Sequence, residues 1–437
     1  MVDHTATARI QRLVRWLEQF KPCFGHRAQL MSLRTYVQGV FSDSERKSMQ
    51  AMLARVTEPV AYQAFQHFIT HAPWDAERVW RRLRAVIPER RGVLILDGTS
   101  FPKQGPASVG AARQYCGALG KIANCQVATT VALWTGVRAW CLGATLYLPD
   151  TWLTPEQRQR GRIPAAVDFQ EKWRHALRLL RQVRAAGFTI TAVLGDAEFG
   201  DVTALRAALH RLRLPYALGI SSDLTVFARR PHLVAPASPR RGRGRARWTM
   251  ARPRVAVAVR DLITQLPRTA WRRVSWRNGS QPKRSAHFVA VRVTPAHHWQ
   301  SGRLAPDIWL LCEAEAGHTR RLRYYFVNLP ARRSLRALVR LTHQRWAIEQ
   351  QYQELKGELG LDHFEGRTYP GWQHHVVLTA VAHAYIQRER MRRGAAGLTF
   401  PQVRAIVQEI FTALLFAAKP RYMHWMEQAK RELQLRI

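Results

Sequence analysis

Five acidic side chains stand in one short stretch of a strongly basic chain, QRWAIEQQYQELKGELGLDHFEGR. Its first part has helical spacing, and a wheel at about 100° per residue separates the helical acids into two groups. Glu349 shares one narrow face with Arg345 and Lys356, at the edge of an apolar stripe. Glu354 and Glu358 fall on the opposite face, where we expect solvent. Glu349 is therefore the candidate for chemistry, and surface ion pairing with its two cations is the alternative.

Two further carboxylates follow short apolar runs that indicate buried strands. Asp97 follows the apolar residues of RGVLILDGTS, and Asp196 follows Gly195 in ITAVLGDAEFGD. Strand ends of an α/β sheet can converge at one edge, where binding sites commonly lie. Glu198 and Asp201 come just after Asp196, which favours supporting roles at the start of the next helix.

Three carboxylates brought together could hold divalent metal ions. Asp97, Asp196 and Glu349 would supply ligands for two ions about 3.5–4 Å apart, a pair that activates a water or a 3′-hydroxyl at a phosphodiester. Mg²⁺ suits this role because it takes oxygen ligands and keeps water positions for the substrate, and Mn²⁺ could substitute for it. The histidines near the carboxyl end lack the spacing of a zinc site.

The charge balance indicates a polyanionic partner. The chain has 437 residues, with 68 Lys and Arg against 30 Asp and Glu, and a formal net charge of +38. Nucleic acid is the partner that this excess favours first, and an anionic membrane surface comes second. A genome rich in G and C would explain the preference for Arg over Lys, but not the shortage of acids.

Cysteine usage and hydropathy favour a cytoplasmic protein without a membrane span. The five cysteines are odd in number and form no CxxC pair, which argues against a disulfide framework. The first residues, MVDHTATARIQRLVRW, contain no apolar signal core. The most apolar long stretch, Val127 to Leu148, is broken by Arg138 and by glycines, so paired strands are the better interpretation.

The helices and strands that must position these residues can be predicted from the spacing of apolar residues, which changes along the chain. Residues 1–90 have helical spacing and form a candidate DNA-binding domain or, alternatively, a helical cap on the next domain. Residues 91–222 mix strands and helices, which predicts an α/β core. Residues 223–333 form a β-rich basic insertion, residues 334–395 a second part of the core with Glu349, and residues 396–437 a helical tail.

The insertion combines basic and aromatic residues in a pattern typical of nucleic-acid contacts. The run SPRRGRGRARW carries Arg241, Arg243 and Arg245 and predicts a phosphate-seeking loop. Trp271 and Trp276 lie among arginines, where they could stack on an unpaired base. For each tryptophan taken singly, ordinary core packing is the better prediction.

The combined motifs resemble the DDE transposases of bacterial insertion sequences, in particular insertion sequence family 4 and its relative, family 701. The matching stretches are LILDGTSFPKQG with SVGAARQYCGALGKIANCQVA, then LGDAEFGD, and then the segment around Glu349. Arg345 and Lys356 reproduce the family's spacing of Arg, Glu and Lys in that segment. Thr342 stands where the family has Tyr, a departure from the pattern.

This resemblance implies an RNase H-like catalytic core with a β-strand insertion before the last Glu. It implies catalytic, metal-holding roles for Asp97, Asp196 and Glu349, and phosphate contacts for Arg345 and Lys356. The remaining candidates for DNA contacts are Tyr352, Lys103 and Lys121.

The activity implied by the resemblance is cut-and-paste transposition in a bacterial, nucleoid-associated setting. Such proteins bind terminal inverted repeats and target DNA as homodimers, cut at the element ends and join the 3′-ends to a target. Two alternatives stay open at this point. One is a metal-dependent nuclease without strand transfer, and the other is a non-catalytic DNA-binding protein derived from a transposase.

Overall fold

The fold is given by a computed structural model, which describes residues 4–235, 248–276, 285–314, 322–395, 397–419 and His424. The predicted phosphate-seeking arginines Arg241, Arg243 and Arg245 lie outside the described residues. The described part of the chain combines helices at both ends with a large mixed sheet. The predicted α/β fold class is therefore confirmed.

Helices and strands alternate in the middle of the chain. The strands are β1 (Arg91–Pro102), β2 (Ala112–Cys116), β3 (Lys121–Trp134), β4 (Ala139–Leu146), β5 (Thr189–Gly195), β6 (Tyr216–Ile220), β7 (Thr225–Phe227), β8 (Leu233–Val234), β9 (Thr249–Met250), β10 (Val257–Ala258), β11 (Arg272–Ser275), β12 (Ser285–Pro295), β13 (Ile308–Ala314) and β14 (Leu322–Val327). The helices are α1 (His4–Glu18), α2 (Arg27–Val40), α3 (Met49–Ala54), α4 (Tyr62–Thr70), α5 (Ala76–Val86), α6 (Pro155–Gly161), α7 (Lys172–Ala185), α8 (Ala197–Gly200), α9 (Thr203–Arg211), α10 (Val259–Thr264), α11 (Leu335–His343), α12 (Trp346–Gln353), α13 (Tyr369–Glu389) and α14 (Phe400–Ala418).

Strand β1 lies at the centre of the part of the sheet that carries the predicted acids. It pairs antiparallel with β3 on one side and parallel with β5 on the other, and β5 pairs parallel with β6. Strands β2 and β4 share the far edge of β3. Successive residues of β1 enter different cores, because side chains of a strand alternate between the faces of a sheet. Leu94 and Leu96 join one hydrophobic core, whereas Val93 and Ile95 join the other.

The β-rich insertion continues the same sheet. Strand β14 pairs antiparallel with β6, and the sheet then runs through β13, β12, β7 and β10. In the insertion, the alternating apolar residues of RVAVAV predict a strand, but only Val257–Ala258 form one. The chain then enters α10, where Val259 and Ile263 lie four residues apart and are both buried. That spacing serves a helix face as well as a strand.

Helix α13 is the centre around which the amino-terminal helices pack. It is buried on nearly all sides, and helices α2, α4 and α5 all contact it. The indole of Trp16 donates to the carbonyl of Val381 at 3.2 Å, and Arg12 forms an ion pair with Glu389 at 2.8 Å. Within the described residues, no helix is both long and apolar enough to cross a membrane. The DNA-binding role of residues 1–90 stays a prediction.

Candidate active site

Asp97 and Asp196 lie at the same level of two neighbouring parallel strands. Ile95 of β1 pairs with Leu194 of β5, and continuing this register by two residues places Asp97 beside Asp196. Asp196 also begins helix α8, since its carboxylate accepts the backbone N–H of Glu198 at 3.1 Å. The two acids are thus brought together, as the sequence predicted, and Asp196 directly follows its strand. Asp97, however, lies in the middle of β1, which continues to Pro102, so its predicted place at a strand end is wrong.

Two glycines allow helix α8 to lie directly on strand β6 beside Asp196. A side-chain carbon added at Gly200 would stand 1.7 Å from the carbonyl oxygen of Gly219. Such a contact is impossible without displacing the backbone, so α8 would have to move away from the sheet. This close approach fixes the position of the turn that carries Asp196 relative to β6.

The segment with Glu349 is helical, but it is separate from the helix before it and its last turn is not α-helical. Helix α11 ends at His343, α12 begins at Trp346, and the last turn, Glu354–Glu358, is a π-helix. The Thr342 hydroxyl donates to the carbonyl of Val339 at 2.9 Å, and side-chain bonds of this kind compete with the backbone and bend helices. Arg345 lies in the resulting break.

The Arg345 guanidinium links two of the three predicted acids. Its Nη1 lies 2.9 Å from Asp97 Oδ1, and its Nη2 lies 3.5 Å from Glu349 Oε1. Burial lowers the pKa of Arg345, but Asp97, Asp196 and Glu349 outweigh burial and raise it above its usual value. All three carboxylates are therefore close enough to one cation to stabilise its charge.

Both aspartates resist ionisation, although Arg345 favours their charged forms. Burial raises the pKa of Asp97 to about 7, a rise that Arg345 opposes and that Asp196 and Glu349 increase. Burial also raises the pKa of Asp196, again against Arg345. A buried carboxylate that resists ionisation beside other acids is a site where added positive charge is strongly favoured.

The donor set fits a divalent metal ion by its chemistry. The three side chains offer only carboxylate oxygens, the ligands that Mg²⁺ prefers. Within the described residues, no three His, Cys, Asp or Glu side chains already stand at the spacing of a metal site. Arg345 lies between Asp97 and Glu349 and is the cation that pairs with both of them here.

The raised pKa of Asp97 predicts a stability that declines with pH. The folded-state pKa of about 7 lies above the reference value of 3.8, so the folded protein holds this proton more tightly. The contribution is fully present below pH 3.8 and is lost as the pH rises through 7, on the order of a few kcal/mol in all. In metal-free buffer, we expect Asp97→Asn to flatten this decline in the free energy of unfolding. Parallel curves for the two proteins would contradict the assignment.

Lys356 is held at the end of strand β1. Its Nζ donates to the carbonyl of Ser100 at 3.0 Å, and the same ammonium lies 5.1 Å from the ring centre of Phe101. Tyr352 is half-buried, and its hydroxyl lies 2.5 Å from Thr130 Oγ1, on the strand that pairs with Asp97. Lys356 is thus positioned beside the acids, while the phenol of Tyr352 contributes to the packing beneath them.

Glu354 is buried, so its predicted place on a solvated face is wrong. Only 5% of it is exposed, and its Oε2 lies 2.9 Å from His383 Nε2. The side-chain amide of Gln387 donates to the same oxygen at 2.9 Å. The spacing of His383 and Gln387, four residues apart in an apolar stretch of α13, was the available signal for a buried polar partner.

A cleft of about 1290 Å³ opens beside the acids and is lined by both Asp196 and Glu349. Trp276 from the insertion lines it and stacks on His343, with ring centres 3.9 Å apart. Trp346 also lines it and is 46% exposed. Sequence reasoning missed Trp346, although its place directly after Arg345 was a signal. The cleft is therefore lined by aromatic rings from the insertion and from the segment around Glu349.

Three other residues predicted to contact DNA do not line this cleft: Lys103, Lys121 and Trp271. Lys103 is half-buried and donates to the carbonyl of Phe364, whereas Lys121 is exposed at the start of β3. Trp271 is partly buried against the main hydrophobic core and does not line the cleft. The DNA-binding roles of these residues, and of Trp276, stay predictions.

Comparison with known proteins gives two matches. One is a relative described as a probable transposase for insertion sequence element IS701, from Microchaete diplosiphon, which is 32% identical over 190 residues. That alignment covers 42% of this chain and 47% of the relative, so the chain spans about half of the relative's length. The other is the family model of the DDE superfamily endonucleases, which matches residues 19–283 and so includes Asp97 and Asp196 but not Glu349. Because this match covers more than half of the chain, the protein belongs to the DDE endonuclease superfamily.

Proposed function

We propose that this chain is a DNA transposase that binds the ends of an insertion sequence, cuts them and joins the 3′-ends to a target. The observation that carries the proposal is the convergence of Asp97, Asp196 and Glu349 on Arg345 at the mouth of an aromatic cleft. The family supports an endonuclease reaction, and its members generally use divalent metal ions. The transposase relative supports the wider activity.

The three carboxylates are the residues that would hold two Mg²⁺ ions, or Mn²⁺ in their place. When bound, such ions activate the attacking oxygen and stabilise the leaving oxygen of a phosphodiester. Asp97 and Asp196 come from paired strands and form a rigid part of the site. Glu349 comes from α12 and is 60% exposed in its side chain, so it is the acid with freedom to adjust.

Arg345 and Lys356 would bind the phosphates beside the bond that is cut. A guanidinium forms strong, charge-assisted hydrogen bonds with phosphate oxygens. Arg345 balances the acids of the protein alone, and on DNA its fork is available to a phosphate once the carboxylates bind metal. Lys356 is a point charge held over the end of β1, where it would stabilise negative charge that develops during cleavage.

The partner is DNA, in the form of terminal inverted repeats and a target, with two copies of the chain assembled on it. A net charge of +38 supplies the electrostatic attraction to the phosphate backbone. The cleft offers aromatic rings, from Trp276 and Trp346, beside the carboxylates. Rings in such a position can stack on bases at a DNA end.

The experiment that tests this function supplies the protein's own gene locus on a plasmid with Mg²⁺ or Mn²⁺. We expect discrete cuts that flank the gene, and joining of the released 3′-ends to a second plasmid. Glu349→Gln, which keeps the shape of the side chain, should remove both products. The cut sites would also define the terminal repeats.

The results that would differ from this expectation each indicate something else. Flanking cuts without joined products would indicate a metal-dependent nuclease. Binding without cuts, in both the wild type and the variant, would indicate a non-catalytic DNA-binding protein. Cutting by Glu349→Gln at the wild-type rate would remove Glu349 from the site.

A further inference from the structure

An apolar surface lies at the tip of the hairpin formed by β2 and β3. Tyr115, Leu119 and Ile122 are 65%, 49% and 61% exposed. Tyr115 and Ile122 face each other directly across the two strands, and Leu119 lies in the turn that joins them. Exposed apolar side chains that cluster in this way commonly mark an interaction surface.

Hydrogen bonds hold this turn together and link it to β1, the strand that carries Asp97. The N–H of Leu119 donates to the carbonyl of Cys116 at 3.0 Å, and Gly120 has a φ of 64°, which favours glycine. The N–H of Ala118 donates to Ser100 Oγ at 3.0 Å. The carbonyl of the same serine accepts the Lys356 ammonium. Ser100 follows Asp97 by three residues, or about 10 Å of strand.

The charge around the tip matches DNA. Arg113 and Lys121 are both exposed beside the apolar side chains. The chain contains no acidic residue between Asp97 and Asp150, a span that includes the whole hairpin. A second copy of this chain, with the same net charge of +38, would be repelled from a surface of this kind.

We propose that the hairpin tip contacts the bases beside the phosphodiester that is cut and favours DNA whose bases there are unpaired. The cations would hold the backbone on either side, while Leu119 enters the base stack and Tyr115 and Ile122 cover the exposed base faces. Apolar wedges separate base steps in this way in other DNA-binding proteins. The inference rests on the proposed function for the identity of the partner, but not on cleavage.

A binding experiment without metal tests the proposal. Two labelled duplexes of one sequence are used, one fully paired and one with adjacent mismatches at its centre. We expect the wild type to bind the mismatched duplex more tightly, by on the order of tenfold, as stacking energies imply. A variant that combines Tyr115→Thr, Leu119→Ser and Ile122→Thr should lose this preference and keep its affinity for the paired duplex. The matched control is Val137→Thr, on the turn between β3 and β4, where the valine is 63% exposed.

The possible outcomes are distinct. Equal binding of both duplexes by the wild type, or an unchanged preference in the triple variant, would overturn the inference and leave the proposed function intact. Binding to neither duplex would overturn both. If the surface joins two copies of the chain, the triple variant would sediment as a smaller species without DNA and would keep the mismatch preference, which also overturns the inference.

Discussion

Asp97→Asn is expected to reduce DNA cleavage by on the order of a thousandfold or more and to leave DNA binding unchanged. The substitution keeps the shape of the side chain but removes the charge that would hold a divalent metal ion. It does not threaten the fold, because Asn resembles the neutral form that burial already favours at this position. The measurement is the single-turnover rate of cleavage in Mg²⁺, with binding followed separately in metal-free buffer.

The matched control for this prediction is Asp201→Asn. Asp201 follows Asp196 by five residues, and its carboxylate accepts the backbone N–H of Ser221 at 2.9 Å. An amide oxygen can accept the same bond, so we expect cleavage close to the wild-type rate. Equal losses in the two variants would show that the effect of Asp97→Asn is not specific to the acids around Arg345.

Glu354→Ala is expected to destabilise the protein by roughly 2–6 kcal/mol, because two buried hydrogen-bonding groups lose their partner at about 1–3 kcal/mol each. The substitution leaves His383 and Gln387 without their shared acceptor, in a region where water cannot replace it. It also removes the hydrogen bonds that link the segment around Glu349 to α13. The free energy of unfolding, measured by chemical denaturation, tests the prediction.

Glu358→Ala provides a control from the same π-helical turn. Glu358 is 28% exposed in its side chain and lies 3.7 Å from Arg404. Pairs of this kind contribute about 1 kcal/mol or less. We also expect Glu354→Gln to be milder than Glu354→Ala, because the amide keeps an acceptor for Gln387. If all three variants had the same stability, the buried network would have no special role.

The α/β fold could be predicted from the sequence because its signals are local, whereas the RNase H-like core and the superfamily followed from the resemblance of the motifs to the DDE transposases. A buried strand is a short apolar run, and the acids at issue follow two such runs directly, as in LILDGTS and LGDAEFGD. The last acid was marked by cations at helical spacing. These patterns depend only on residues close in the chain, so Asp97, Asp196, Glu349 and Arg345 could be named as one group.

The exact relations among these residues depended on contacts between distant parts of the chain. The helical wheel assumed that only one face of the helix packs against the protein. Around Glu354 the opposite face also packs, against α13, so Glu354 is buried. The pairing of β14 with β6, which makes the insertion part of the same sheet, joins strands about a hundred residues apart. The sequence by itself named the acids that we propose for the chemistry. Only the tertiary structure decided that Arg345 bridges Asp97 and Glu349, because that geometry requires the start of α12 to lie beside the middle of β1.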